Sequence, residues 1–233
     1  MPVAFVHGQG SQKPAASGAA AAGAGKRTDV YHVHFTKAAL GKAVQLGDWL
    51  KTPDRSNPMP EHLSSFATKT AMRGITSSSR ALARKRLEAA GTAVPPDKRD
   101  LSAWHTDTLV NGPSWEEFSR AMGIDADSKS KTTGSIYTVS YYRPAPGHRQ
   151  QLEKMLGEAP SGVGDTSAGN ILMQHLEGAA WTFLTIARYN SWEDFATGEK
   201  NGVAQTTKKD SPWYQLREHT DFHTDTLTDR IAP

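Results

Sequence analysis

The sequence predicts an α+β chain made of two tandem β-α-β-β-α-β units, and three observations predict it. The string His-Thr-Asp-Thr-Leu occurs twice, each time after an aromatic residue: Trp104-His105-Thr106-Asp107-Thr108-Leu109 and Phe222-His223-Thr224-Asp225-Thr226-Leu227. A second match precedes them, Asp29-Val30-Tyr31-His32-Val33-His34-Phe35 with Gly41 against Ser135-Ile136-Tyr137-Thr138-Val139-Ser140-Tyr141 with Gly147. The offset is 106 in this pair and 118 in the first, so the second copy has the longer interior. Strand and helix patterns in the second copy follow the stated order. Self-similarity of this kind marks a duplication, and a chain of 233 residues holds two units of roughly 100 each.

In the second copy, Ser135 to Tyr142 alternates and is rich in aromatic and β-branched residues, which reads as a strand. Pro144 and Pro146-Gly147 break it, and Leu152, Met155 and Leu156 recur at helical spacing. After a Gly/Ser-rich loop, Ile171 to Leu176 and Trp181 to Tyr189 are strands joined through Glu177-Gly178-Ala179 as a hairpin. Ser191-Trp192-Glu193-Asp194 opens a helix with Ser191 as N-cap. A loop through Lys208 and Lys209 leads to a last strand, His219 to Leu227. This is the ferredoxin-like order. The first copy starts alike, with a strand at Val30 to Thr36 and a helix whose apolar residues are Val44, Leu46, Trp49 and Leu50. Its last strand is Ala103 to Val110, followed by a capped helix at Ser114-Trp115-Glu116-Glu117-Phe118 that reads as a linking helix. The boundaries that follow are a flexible leader over 1–28, a first ferredoxin-like repeat over 29–122, a linker over 123–134 and a second repeat over 135–233.

The middle hairpin of the first repeat is missing from this pattern. Leu63 to Arg86 (63–86) offers Ser, Thr, Ala, Lys and Arg with neither alternation nor an apolar stripe, which predicts a loop or irregular helix. Serine codons of the TCN type read one frame over end in T-C and encode Phe, Leu, Ile or Val. In that frame the segment becomes strand, Gly turn and strand, with a run paralleling Gln174 to Trp181. Two compensating frameshifts around 63–86 are therefore one origin for this segment, and true divergence is the other.

The same segment explains the charge. Lys69, Arg73, Arg80, Arg84, Lys85 and Arg86 sit there without an acid, and the remainder has 21 basic residues against 24 acidic. A nucleic-acid partner is thus not expected despite a pI near 9.0. Cysteine is absent, which excludes disulfides, thiolate metal sites and cysteine nucleophiles. No apolar run reaches the roughly 18 residues of a membrane span, so no membrane partner is expected. Pro2 to Val6 is a short apolar run and Gly8 to Lys26 is rich in Ala, Gly, Ser and Gln. A signal-peptide remnant on a periplasmic or secreted protein accounts for both, as does a disordered arm on a cytoplasmic one.

A tandem pair of such units, with aromatic strands and Pro/Gly helix starts, resembles the dimeric α/β-barrel superfamily over about Asp29 to Ile231. Within it the chain is similar to antibiotic-biosynthesis-type monooxygenases, EthD-like proteins and stress-responsive barrel proteins. The resemblance implies two ferredoxin-like sheets facing each other, here within one chain, and a ligand cavity between sheet and helices. It implies a small-molecule ligand, cofactor-free oxygenation or isomerisation of an aromatic compound, and assembly into a homo-oligomer. A non-catalytic structural or interaction module and a haem- or metal-binding barrel are the alternatives.

Strand alternation supplies the candidate residues. His219, Asp221, His223 and Asp225 would share one face of the last strand, and His105 and Asp107 the matching face in the first repeat; His32 and His34 likewise share a face of the first strand. Grouped imidazoles and carboxylates serve acid–base chemistry or a divalent metal, and equally serve as hydrogen-bonded structural pairs. No metal ligand set is assigned. His223 and His175 are the candidates for moving protons. Trp181, Phe183, Tyr137 and Phe222 are the candidates for lining an aromatic-binding cavity, and core packing is the competing reading. No G-x-S-x-G elbow is present, and the Gly-rich stretches lack phosphate-loop spacing.

Overall fold

The structure, a computed structural model, describes residues 26–51, 62–67, 72–78, 96–124, 135–158 and 165–232. The predicted leader falls almost wholly outside them, as does most of the 123–134 linker. The strands are β1 (Asp29–Ala38), β2 (His62–Ala67), β3 (Met72–Ser78), β4 (Ser102–Gly112), β5 (Ile136–Pro144), β6 (Gly169–Glu177), β7 (Phe183–Tyr189) and β8 (Thr220–Ala232). The helices are α1 (Ala43–Leu50), the single turn α2 (Pro96–Arg99), α3 (Trp115–Met122), α4 (Arg149–Gly157), α5 (Trp192–Gln205) and α6 (Pro212–Glu218). The sheet closes on itself in the order β1-β3-β2-β8-β5-β7-β6-β4. Every neighbouring pair is antiparallel. Two of the joins are short, β2 with β8 and β4 with β6, each of three residue pairs.

Alternation along the strands divides the side chains. Tyr31, Val33, Phe35, Val110, Tyr137, Val139, Ile171, Met173, Leu184 and Ile186 meet in one cluster inside the barrel. The opposite faces carry their own cores: Tyr142, Leu172 and Phe183 pack under Leu152 and Leu156 of α4, and Leu46 of α1 packs on Leu101. Helix α3 stoppers one end. Phe118, Met122 and the following Ile124 join the interior cluster. The Tyr31 hydroxyl donates to the Pro113 carbonyl at 2.8 Å and the Tyr137 hydroxyl to the Met122 carbonyl at 2.9 Å. A capping box between Ser114 and Glu117 starts α3, and Gly123 at φ 66° ends it. The residue pattern gave this helix without its purpose as a plug.

The β1–β4 and β5–β8 pairs share one register. His105 pairs Thr36 and Asp107 pairs His34, as His223 pairs Tyr142 and Asp225 pairs Ser140. The irregularity at Lys37/Ala38 recurs at Arg143/Pro144. Gly41 and Gly147 take positive φ, 74° and 81°, at the turn that follows each.

Three expectations need correction. The segment predicted to lack a hairpin forms one, β2 with β3, from Leu63 pairing Thr76 through Ala67 pairing Met72. That expectation weighed side-chain pattern alone. The ladders of β1 and β8 present backbone donors and acceptors that require partners, and backbone pairing needs no particular side chain. The frameshift reading is therefore not needed to obtain a hairpin there. Residues 68–71, between the two strands, and 79–86 lie outside the described residues. Second, Trp181 is not in a strand; the turn runs past it and β7 begins at Phe183. Third, the loop after Lys208 holds α6, announced by Ser211, whose hydroxyl accepts from the Tyr214 amide, with Pro212 at the first helical position.

Candidate functional site at the open end of the barrel

The end opposite α3 is ringed by aromatic side chains. β1 and β5 carry Phe35 and Tyr141 inward, and the turn after β6 folds Trp181 against them. Ring centroids are 6.1 Å apart for Phe35 and Tyr141, 6.2 Å for Phe35 and Trp181, and 6.0 Å for Tyr141 and Trp181. Phe222 of β8 lies 6.1 Å from Tyr141 and is 44% exposed, and Trp104 of β4 is 50% exposed. These two mark where the cluster meets solvent. Arg143 lies over the Phe222 ring at 5.6 Å and pairs with Asp221 at 2.7 Å.

His175 is the titratable group of this end, 5.3 Å from Trp181. Its Nε2 accepts the Ala179 amide at 3.0 Å. Because an amide only donates, Nε2 carries the lone pair and the ring proton sits on Nδ1. Burial lowers the pKa of His175, against smaller opposing contributions from a backbone hydrogen bond and the charge of Glu177. The ring is thus held in its neutral form. Gly178 makes this turn possible: at φ 97°, a Cβ there would meet the Asp107 carbonyl oxygen at 2.5 Å. Gly178→Ala should therefore lower stability by about 1–3 kcal/mol and loosen Trp181. A thermal melt with near-UV circular dichroism checks it; an unchanged melt would contradict the tight turn.

The other candidates are spread over the barrel. Tyr137 is fully buried at the stoppered end. Phe183 lies on the outer face with Leu152 and Leu156, not with Trp181, because the turn takes Trp181 out of the strand and the alternation of β7 places Phe183 outward. His223 is also outward, stacked on Tyr142 at 5.8 Å, with its ring nitrogens 3.1 and 3.2 Å from Arg217 Nη1 and Nε2 3.6 Å from Asp225. Tyr142 is pushed up to about 12 by burial, with Asp225 adding to it, and stays a phenol. His219 and Asp221 do not join His223. His219 Nδ1 bonds His148 Nδ1 at 2.7 Å, and Asp221 holds Arg143. In the first half the predicted face does assemble, around Asp107. Sequence reasoning missed Phe35 and Tyr141; their recurrence at the duplicated offset was the available signal.

Among the described residues, no group of three His, Cys, Asp or Glu side chains is arranged to hold a metal ion. No described helix is long and apolar enough to cross a membrane.

No family model matches the sequence, and no curated protein matches it. Solved structures do match. A "putative monooxygenase" from Lactobacillus acidophilus NCFM aligns at TM-score 0.50 and 7% identity, over 88% of this chain and 95% of that one. Another "putative monooxygenase", from Fusobacterium nucleatum subsp. nucleatum, gives 0.53 and 6%, over 88% and 94%. An "anthrone oxidase-like protein" gives 0.55 and 11%, over 91% and 96%. The chain shares their fold. The match runs nearly end to end in all three, so the likeness is to the whole α+β barrel and not to one half of it.

Proposed function

We propose that the protein binds a planar aromatic small molecule at the open end of the barrel and oxidises or isomerises it without a cofactor. The observation that carries this reading is the cluster of Phe35, Tyr141, Trp181 and Phe222, with the His175 imidazole against Trp181. Aromatic walls favour a flat apolar ligand, and His175 takes up a proton when its Nε2 lone pair is released from the Ala179 amide. Of the two proton-moving candidates, His175 is the one at this end. Withdrawal of a C–H proton conjugated with a carbonyl leaves electron density that can react with dioxygen. The names of the structural neighbours fit such chemistry. The wider reading is of two tandem ferredoxin-like repeats paired within one chain as a dimeric α/β barrel. Strand order and the register shared by the β1–β4 and β5–β8 pairs support it.

Anthrone is the probe. Its oxidation consumes one dioxygen and yields anthraquinone and water, so an oxygen electrode and absorbance follow it together. Anthrone should quench tryptophan fluorescence and take up oxygen in the presence of the protein. Trp181→Ala should weaken binding on the order of tenfold, about 1.4 kcal/mol. Binding without oxygen uptake would assign a non-catalytic module, and neither effect at saturating probe would refute the reading.

A further inference from the structure

The outer face of β1 and β4 holds a group of side chains that the barrel mouth does not use. Asp107 Oδ1 accepts two hydrogen bonds at 2.7 Å, from His32 Nε2 and from His34 Nδ1. The His105 ring stacks on that of His34 at 5.3 Å and 26°, with its Nε2 3.9 Å from Asp107 Oδ2. Burial would raise the pKa of Asp107, but the hydrogen bonds from His32 and His34 and their charges outweigh it and hold the carboxyl well below the usual range. Asp107 is thus an anion that accepts and never donates.

This fixes the chemistry of His34. With Nδ1–H committed to the carboxylate, the lone pair of the neutral ring is on Nε2, on the far side of the ring from Asp107. The His34 side chain is 29% exposed, whereas that of His32 is 9% exposed. The register sets Gly74 of β3 on the other flank of His34, a position with no side chain. Fold does not require this polar group. At the equivalent place in the second half, Ser140 stands for His34 and Tyr142 for Thr36, and Tyr142 is packed with Leu152, Leu156 and Phe183.

We propose that His34 Nε2 is a proton-accepting and nucleophilic centre of a second site, positioned by Asp107 and flanked by His105, that takes small acyl esters or weakly acidic hydroxyl compounds. With an ester, Nε2 attacks the acyl carbon and the alkoxide or phenoxide leaves with the bonding pair. Water then hydrolyses the acyl-imidazole, returning His34 and releasing the carboxylic acid. Asp107 acts through His34 by fixing its tautomer and by facing the positive charge that the ring gains.

The full chain is tested with p-nitrophenyl acetate and with long-range proton–nitrogen NMR of its imidazoles. His34 should show the Nδ1–H tautomer when neutral. Asp107→Ala should return it to the Nε2–H form that free imidazoles prefer, a change that a merely structural role would not produce. Positioned acid–base groups commonly give about 100-fold or more, and an unpositioned probe senses part of it. His34→Asn, whose side-chain amide places an N–H where Nδ1 donates to Asp107 and so keeps the fold, should slow p-nitrophenolate release by about tenfold and flatten its rise with pH. An Nε2–H tautomer in the wild-type protein, or a His34→Asn rate equal to that of the wild type, overturns the proposal.

Discussion

Gly169→Ala is expected to produce the largest loss of stability of any single methyl group added to this chain's described glycines. A Cβ at residue 169 would lie 2.0 Å from the Ala121 carbonyl oxygen, 2.8 Å from its carbon and 3.1 Å from its Cα. All three atoms are backbone, so no side chain can turn aside. The backbone approach is where α3 presses on the start of β6. Relief requires the helix to move off the barrel end, and Phe118 and Met122, both fully buried, move with it. Overpacking of this kind costs about 3 kcal/mol or more. For a chain of this size that is a fall in Tm on the order of 6–12 °C. The tyrosine anchors from β1 and β5 would be lost together, since both hydroxyls bond carbonyls that flank α3. A melt within one or two degrees of the wild type would show that α3 is not seated as described.

How much of this was legible in the sequence depended on which force set each element. The terminal strands and flanking helices were legible because hydrophobic alternation and caps are local: Ser114 and Ser191 were read as caps, and both accept the expected amide. The duplicated strings were legible as strands, and their pairing partners follow the same offset as the preceding match. The β2–β3 hairpin was not, since it is held by backbone demand from β1 and β8, which leaves no mark in the segment itself. For the candidate site, alternation alone put His32 with His34 on β1 and His105 with Asp107 on β4, and the pairing of the two strands, which alternation does not give, joins them. It failed at Phe183, where the length of the preceding turn decides which way the strand points, and at His219, which ends α6 and does not enter β8. Trp181 and Phe183 share a face only if both lie in the strand, and the turn takes Trp181 out of it, so turn length is the quantity that pattern reading lacked.

Asp107→Ala carries the second large effect, and its pH dependence separates charge from packing. Removal of the carboxylate strips the acceptor from His32 and His34 at once. Losing a hydrogen bond to a charged group costs about 1.5–3 kcal/mol, and His32 is among the buried polar residues. The partly exposed His34 recovers some of its loss from water, so the sum is about 2–4 kcal/mol. The sign of the pH dependence follows from the carboxyl being held below its ordinary value in the fold. A depressed folded pKa makes the unfolded chain bind the proton more readily. The stabilisation is therefore complete above the unfolded value, about 3.9 for Asp, and disappears as pH falls from there through the folded one. The stability gap between wild type and Asp107→Ala should then be level from about pH 8 to pH 5 and shrink below about pH 4. Urea unfolding at a series of pH values measures it. A gap that stays constant down to pH 3 would mean that Asp107 contributes through packing and not as an anion between two imidazoles.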